Sequence, residues 1–353
     1  MPISIVVGGQ FGSEGKGKVA LHLAHEYGSD AILVRVGGSN SGHTAYDACG
    51  RRHALRQLPV GAIDGNRMFI AAGSYIDPDV ILDEIEALGV GPDRLTIDPN
   101  AKLITSSHKK WERGSDLKDD IGSTVSGTGA AVLASVARNS PALNLPSPRA
   151  KDDPRLAPFV REDASAMLDK ELTRGQRVIV EGTQGFGLSV NHGKWPFVTS
   201  RDTTAASFLA EIGRGPNEVD EVVLVIRTHP IRVAGNSGDL PNETSWKKIE
   251  NNSGADCDLT ERTTVTGNIR RIGLFDPAVV CDAIRANSPQ KIVLNHVDHF
   301  DWSIRDCALS EKALEKVEAV EQAIGRQVDL LGTSERTLTP RPGMGRPALR
   351  AVN

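Results

Sequence analysis

Apolar positions along this chain fall in short runs separated by amphipathic stretches, and the two kinds alternate. Residues 3–7 form a β-branched run interrupted only by Ser4, the pattern of a strand covered on both faces. After a glycine-rich loop at 8–17, residues 18–27 place Val19, Leu23 and Tyr27 at helical spacing and stop at Gly28, which suits the position just past a helix C-terminus. Residues 31–36 are a second apolar strand, so the unit is βαβ and implies parallel pairing. Further buried strands are predicted at 68–72, 177–180, 221–226 and 291–295, and helices near 79–88, 163–173, 277–286 and 310–324. This alternation predicts an α/β fold: a doubly wound, mostly parallel central sheet with helices on both faces and loop insertions. Ligands of such sheets bind at the carboxyl ends of the strands, which here run into Gly-, Thr- or His-bearing loops.

Two stretches break the alternation. Residues 139–158 carry five prolines, and 234–257 are polar and rich in Gly and Asn; both read as surface excursions or a linker and not as sheet. Length alone allows two domains of roughly 150 residues or one large one. The continuous alternation is read as one domain over 1–353, interrupted by those excursions.

Composition narrows the function classes. Apolar residues make up 39% of the chain and aromatics 4%, so the core rests on Val, Ile, Leu and Ala. A net charge of −4 supplies no basic field for nucleic acid or an anionic membrane, and no apolar run approaches the roughly 18 residues that span a bilayer. Cys49, Cys257, Cys281 and Cys307 form no CxxC pair, which suits a reducing compartment, and no basic leader precedes the first strand; a cytoplasmic location is expected. The charged stretches 109–113 and 341–350 read as solvated faces, and Trp111, Trp246 and Trp302 as packing residues.

The chemistry concentrates in two loops. Gly8-Gly9-Gln10-Phe11-Gly12-Ser13-Glu14-Gly15-Lys16-Gly17-Lys18 joins a buried strand to a helix, where backbone N–H groups freed of side-chain bulk cradle an anion and Lys16 and Lys18 add charge as surface phosphate ligands. It is not the common P-loop: counting back from Gly15-Lys16 puts Gln10 at the first glycine and Gly17 at the Mg²⁺-binding hydroxyl. Gly37-Gly38-Ser39-Asn40-Ser41-Gly42-His43-Thr44 leaves the second strand at the same sheet edge and brings a histidine toward those phosphates.

Together these two loops resemble the adenylosuccinate synthetase family, which joins aspartate to the 6-position of a purine monophosphate at the expense of a nucleoside triphosphate. The resemblance continues through Gly122-Ser123-Thr124, Val136-Ala137-Arg138, Glu181-Gly182-Thr183-Gln184-Gly185, His192 to Ser200, Val265-Thr266-Gly267 with Arg270-Arg271, and Asn295-His296-Val297-Asp298. It implies that Ser13, Gly15, Lys16, Gly17, Lys18, Gly42, His43 and Thr44 hold the triphosphate, with Asn295, Asp298 and Gly332 completing that site. Ser13 and Gly42 would ligate Mg²⁺, and His43 would donate toward the leaving diphosphate. Ser13, Asn40, Thr124, Gln184 and Thr199 would hold the purine monophosphate. Arg138 would reach its phosphate from a second copy of the chain, which implies a homodimer. Thr266, Gly267 and Arg270 would hold L-aspartate, the arginine fork matching a carboxylate.

Two positions depart from the family pattern. Ser13 stands where the family has an aspartate that removes the purine N1 proton and ligates Mg²⁺; a serine leaves room for a 2-amino group and can accept its hydrogen bond. Asn268 replaces an arginine that reaches the ribose. With a chain shorter than the usual synthetase, these features are similar to the phage branch of the family, which acts on dGMP with ATP or dATP to make 2-amino-2′-deoxyadenylosuccinate. His296 in place of the usual lysine of the base-reading motif is compatible with that choice, whereas Asp298 suits guanine. The rivals are an ordinary GTP-dependent synthetase acting on IMP, and a nucleotide-binding protein that kept the fold and lost turnover.

Overall fold

The computed structural model describes residues 2–263 and 267–343. Its centre is a nine-stranded sheet, here numbered β1 (Ile3–Gly8), β2 (Ile32–Arg35), β3 (Arg67–Ile70), β4 (Leu95–Ile97), β5 (Val178–Glu181), β6 (Val219–Arg227), β7 (Lys291–Asn295), β8 (Leu330–Gly332) and β9 (Leu338–Pro340). The strands lie in the order β9-β8-β7-β6-β1-β5-β2-β3-β4, all parallel except β9, which runs antiparallel to β8 at the edge. The six expected strands are present. The missed strands β4, β8 and β9 are three residues each, too short to show an apolar run.

Side chains alternate across β1 and bury against helices on both faces. Ile3, Ile5 and Val7 pack with Leu168, Phe208, Val280 and Val317, which come from the helices Ala164–Thr173, Ala205–Glu211, Pro277–Asn287 and Glu311–Ile324. Val6 faces the opposite way, against Val19, Leu23 and Ala24 of the helix Lys16–Tyr27. Burial of each such side chain stabilises the fold by about 1.5–3 kcal/mol. A third cluster at the β3–β4 edge joins Met68 and Ile70 to Ile81 and Ile85 of the helix Pro78–Leu88. No helix among the described residues is long and apolar enough to cross a membrane.

The crevice follows from topology. From β1 the chain enters the helix Lys16–Tyr27 on one face, whereas from the neighbouring β5 it enters Ala205–Glu211 on the other. Loops that part in this way open a ligand cleft at the carboxyl ends of the two strands.

The excursions need correction. Residues 234–257 contain the strand Glu243–Thr244, paired with Arg271–Gly273 in a three-stranded sheet, and the helix Trp246–Ser253, which buries Trp246 and Ile249. A Ser245 cap on Lys248 N–H starts that helix. Residues 139–158 form three short 3₁₀ turns that bury Leu145, Ala150 and Leu156, so they are packed and not merely superficial. The stretch 109–113 is also more than a solvated face: Lys109 pairs with Asp77 at 2.7 Å, and buried Glu112 accepts from the N–H groups of Gly127 (2.6 Å) and Ala130 (3.0 Å), capping the helix Thr128–Ala137. Arg341 pairs with Glu321 at 2.9 Å, and residues 344–350 lie outside the described residues.

Candidate active site

A cavity of about 850 Å³ occupies the cleft, within the range of small-molecule sites. Its wall includes Ser13, Gly15, Lys16, Gly17, Lys18, Asn40, Gly42, His43, Thr44, Thr124, Gln184, Thr199, Arg270, Asn295 and Asp298. Most of the residues expected at the site therefore do meet.

The phosphate loop is held by its own side chains. Glu14, fully buried, accepts from the N–H groups of Gly12 (2.7 Å) and Gln10 (3.2 Å) and pairs with Lys16 Nζ at 2.7 Å. Lys16 is only 3% exposed, so it is not a surface ligand but half of a buried pair whose other half no sequence signal marks. Gln10 clasps the end of β6, accepting from Arg227 N–H at 2.9 Å and donating to its carbonyl at 3.1 Å. The fully buried Arg227 guanidinium returns the contact: it donates to the Ser13 carbonyl at 3.0 Å and pairs with Glu261 at 2.5 Å. That grip holds Ser13 at a φ of +57°, a region serine seldom adopts. Gly15, at φ +91°, permits Asn295 Nδ2 to pass within 2.6 Å of where a Cβ would stand, and that amide donates to the Glu14 carbonyl at 2.7 Å.

His43 begins the strand His43–Tyr46, paired antiparallel with Arg52–Leu55. Its Nδ1 contacts Glu181 at the end of β5, and the other oxygen of that carboxylate accepts Val60 N–H at 2.8 Å. Burial, reinforced by Arg35, lowers the His43 pKa to about 4, so the ring is neutral and donates from Nδ1. Its Nε2 is buried with no hydrogen-bond partner among the described residues. Glu181 orients the imidazole, a role that its place in a motif does not by itself reveal.

On the side expected to take the monophosphate, Asn40 Nδ2 donates to Thr199 Oγ1 at 3.4 Å, and Thr124 Oγ1 to Ser126 Oγ at 3.2 Å. Trp111 and Trp195 stand in the cavity wall, as does Trp302, so Trp111 and Trp302 are not simply packing residues; Trp246 is. Arg138 does not reach this chain's cavity: it is exposed just past the helix Thr128–Ala137, beside exposed Val136.

Arg270 also lines the cavity, with Glu261, Arg262 and Thr263. Gly267 and Asn268 are exposed and off the wall, and Thr266 lies outside the described residues. Arg232, unmarked by any motif, is buried against Phe11 with its guanidinium 4.5 Å from the ring centroid; its Nε and Nη1 have no partner among the described residues.

The far end gathers Asn295, His296, Asp298, His299, Trp302, Arg305, Ser334 and Glu335. Lys18 turns toward it, donating to the Ser334 carbonyl at 2.8 Å, and burial draws its pKa down to about 8. Burial raises Asp298 to about 6, although Arg305 pairs with it at 2.6 Å. Gly332 does not line the cavity; it packs on Asn295 and Lys18, where any Cβ would collide.

A parallel sheet with a glycine loop at its switch point, a carboxylate-oriented histidine and a guanidinium wall define an α/β enzyme that handles nucleotide phosphates. The adenylosuccinate synthetase family profile matches residues 5–144 and 150–308, and the chain belongs to that family of carbon–nitrogen ligases. It is 37% identical over 343 residues to the adenylosuccinate synthetase of Pyrococcus sp. (strain ST700), covering 94% of this chain and 96% of that one. The synthetase of Methanocaldococcus jannaschii is 36% identical over 94% of this chain and 93% of its own. Among solved structures, the cyanophage S-2L succinoaminodeoxyadenylate synthetase, bound to dGMP and to dATP as an energy donor, superimposes with a TM-score of 0.78 at 29% identity over 96% of this chain and 95% of that one. The fully ligated adenylosuccinate synthetase of Plasmodium falciparum shares the fold, with a TM-score of 0.83 at 20% identity over 97% of this chain and all of the other. Because the Pyrococcus and Methanocaldococcus relatives match over nearly their whole length, the shortness of the chain does not separate the phage branch from ordinary synthetases.

Proposed function

We propose that the enzyme condenses L-aspartate with dGMP at the purine 6-position, using ATP or dATP and forming 2-amino-2′-deoxyadenylosuccinate. One observation carries the choice of purine: the cavity wall at the phosphate loop presents the neutral hydroxyl-bearing Ser13 where the family resemblance calls for an aspartate. A carboxylate there would crowd the 2-amino group beside N1, whereas serine leaves space and an acceptor. The dGMP and dATP bound to the cyanophage relative are consistent with this reading.

In the proposed reaction N1 gives up its proton to solvent water, O6 of the purine takes the γ-phosphoryl group as ADP or dADP leaves, and the aspartate amine then displaces phosphate from C6, its own proton passing to the departing phosphate. Gly15, Lys16, Gly17, Lys18 and Thr44 position the triphosphate, while Asn40, Thr124, Gln184 and Thr199 position the monophosphate. Arg270, with Thr266 and Gly267, takes the aspartate carboxylates. Ser13 is a poor base, so its part is to make room and to orient. His43 needs a proton on Nε2 to donate to the departing diphosphate. A bound polyanion favours the imidazolium, and Glu181 stabilises it from behind. The Ser13 hydroxyl and Gly42 carbonyl on the cavity wall are hard oxygen donors that suit Mg²⁺, which when bound neutralises charge on the phosphate oxygens.

The exposed Leu133 and Val136 beside Arg138 support a homodimer in which a second copy supplies that arginine. An inactive Arg138→Ala chain mixed with an inactive His43→Ala chain should then recover activity, and a monomeric, fully active protein by light scattering contradicts it.

The second reading, a GTP-dependent synthetase acting on IMP, is favoured by the Pyrococcus and Methanocaldococcus relatives, both of which are named adenylosuccinate synthetases. A panel of IMP, GMP, dIMP and dGMP, each with ATP and GTP, decides: dGMP as the best substrate supports the proposal, and IMP as the best substrate refutes it.

A further inference from the structure

At the far end of the cavity, Arg305 sits between two carboxylates. Its Nη1 pairs with Asp298 Oδ2 at 2.6 Å, its Nη2 pairs with Glu335, and its guanidinium lies 4.3 Å from the Trp302 ring centroid. Trp302 is fixed in turn by a 2.9 Å hydrogen bond from Nε1 to Asp256. Asp298 is 3% exposed and Arg305, Trp302 and Glu335 all line the cavity, so the pair is a built part of the wall.

The hydrogen-bonding edge of guanine offers two neighbouring donors, N1–H and N2–H, and a free carboxylate answers them with two acceptors. Adenine offers one donor, N6–H, beside one acceptor, N1. It needs one acceptor and one donor side by side. A carboxylate that shares one oxygen with a guanidinium presents such a pair: the other oxygen is a free acceptor, and beside the shared one the guanidinium supplies N–H groups beyond the two used in its ion pairs.

We propose that Arg305 selects the base of the nucleoside triphosphate, forming with Asp298 an acceptor–donor pair complementary to adenine while crowding the second carboxylate oxygen that guanine requires. The inference rests on the reading that the Asn295–Asp298 end takes the triphosphate's base, and it deepens the proposed use of ATP or dATP. Ordering of Arg305 by Trp302 and Glu335 means that opening Asp298 to guanine costs two further contacts. Asp298 alone, read in the sequence, suggests the opposite preference. The residue that reverses it lies seven positions further on, with no motif to mark it.

The test measures kcat/KM for ATP and GTP in the parent, Arg305→Leu, Asp298→Asn and the double variant, using whichever 6-oxopurine monophosphate the parent turns over fastest. The outcome is thus independent of whether dGMP is that substrate. Arg305→Leu should lower the ATP-to-GTP ratio by roughly tenfold to a hundredfold, the penalty of mismatched donors and acceptors. An asparagine carries its own acceptor and donor, so Asp298→Asn should keep the preference for ATP, and the double variant should recover it. Binding of ADP and GDP followed by melting temperature reads the same preference without turnover and covers the case in which Arg305→Leu folds poorly. A parent that prefers GTP, a ratio within about threefold of the parent in Arg305→Leu, or a gain of GTP use in Asp298→Asn overturns the proposal.

Discussion

The two ends of the cavity are made of different material. At the phosphate end, one continuous segment from Gly8 to Lys18 supplies backbone N–H groups, two of them already engaged by Glu14, and its path is fixed by the clasp between Gln10 and Arg227. The end proposed to take the triphosphate's base is assembled from the side chains of separate loops, with Asp298, Arg305 and Glu335 joined by ion pairs. Backbone donors are set by the course of the chain and change little with sequence, whereas an ion pair in a cavity wall is retuned by one substitution. On the proposed reading, the chemistry common to the family belongs to the first end, and the choice of triphosphate to the second. Ser13 is the point at which, on the same reading, substrate choice enters the phosphate end as well.

Breaking the phosphate end should have the largest effect. Lys16→Ala should reduce kcat by about 10³-fold or more, because a charge is removed from where the transferred group develops its own. It should also destabilise the protein by about 3–5 kcal/mol, since Glu14 is left buried without its counter-charge. Adding Glu14→Gln should restore the melting temperature and leave turnover lost; activity within about threefold of the parent removes Lys16 from the phosphate site.

His43→Ala should lower kcat by about 10²–10³-fold. The free ring is neutral above about pH 4, so protonation on nucleotide binding requires proton uptake near pH 7. Triphosphate affinity should accordingly weaken as pH rises through the pKa of the complex. Calorimetry in buffers of different ionisation enthalpy reads that uptake, and a value of zero shows that His43 stays neutral and cannot donate from Nε2.

A smaller effect is expected at the joint that fixes the loop. Arg227→Lys keeps the charge but loses the fork that grips Ser13 and Glu261 together. Turnover should fall roughly tenfold with a rise in KM for aspartate, because Glu261 shares the wall with Arg270. An unchanged KM with a lowered melting temperature assigns Arg227 to folding alone.

The last effect is on acid stability and not on turnover, at the end of the cavity proposed to take the triphosphate's base. Burial lowers His229 to about 3 and His299 to about 4. A histidine whose folded pKa lies below its ordinary value binds more protons when unfolded, so its contribution is complete above about pH 6.5 and is lost as pH falls from there toward 3–4. Each contributes up to about 1.4 kcal/mol per pH unit within that window. The melting temperature should fall between pH 7 and 5, and His299→Gln should flatten the fall; an identical pH profile in the variant contradicts the assignment.

The same contrast explains what could be read from residues alone. The phosphate loop is contiguous, flanked by a β-branched strand and an amphipathic helix, and each of those signals is local. The Gln10–Arg227 clasp and the contact of Arg227 with Ser13 span more than 200 positions, and no periodicity encodes such a meeting. Arg232, Arg305 and Glu335 acquire their places only when the sheet order brings their loops together. Lys16 misleads for a related reason: a lysine between glycines reads as exposed, and its burial becomes tolerable only through Glu14, two residues earlier. Strands of three residues and the helix Trp246–Ser253, set in a polar stretch, carry too little apolar pattern to stand out.

The claim that Ser13 admits a 2-aminopurine has a direct test in the ratio of kcat/KM for dGMP to that for dIMP, measured in the parent and in Ser13→Asp. The carboxylate provides a base near N1 but crowds C2, so the ratio should fall by roughly tenfold to a hundredfold, with turnover of the 2-unsubstituted purine rising. A ratio that stays unchanged, or that moves toward dGMP, would contradict the account.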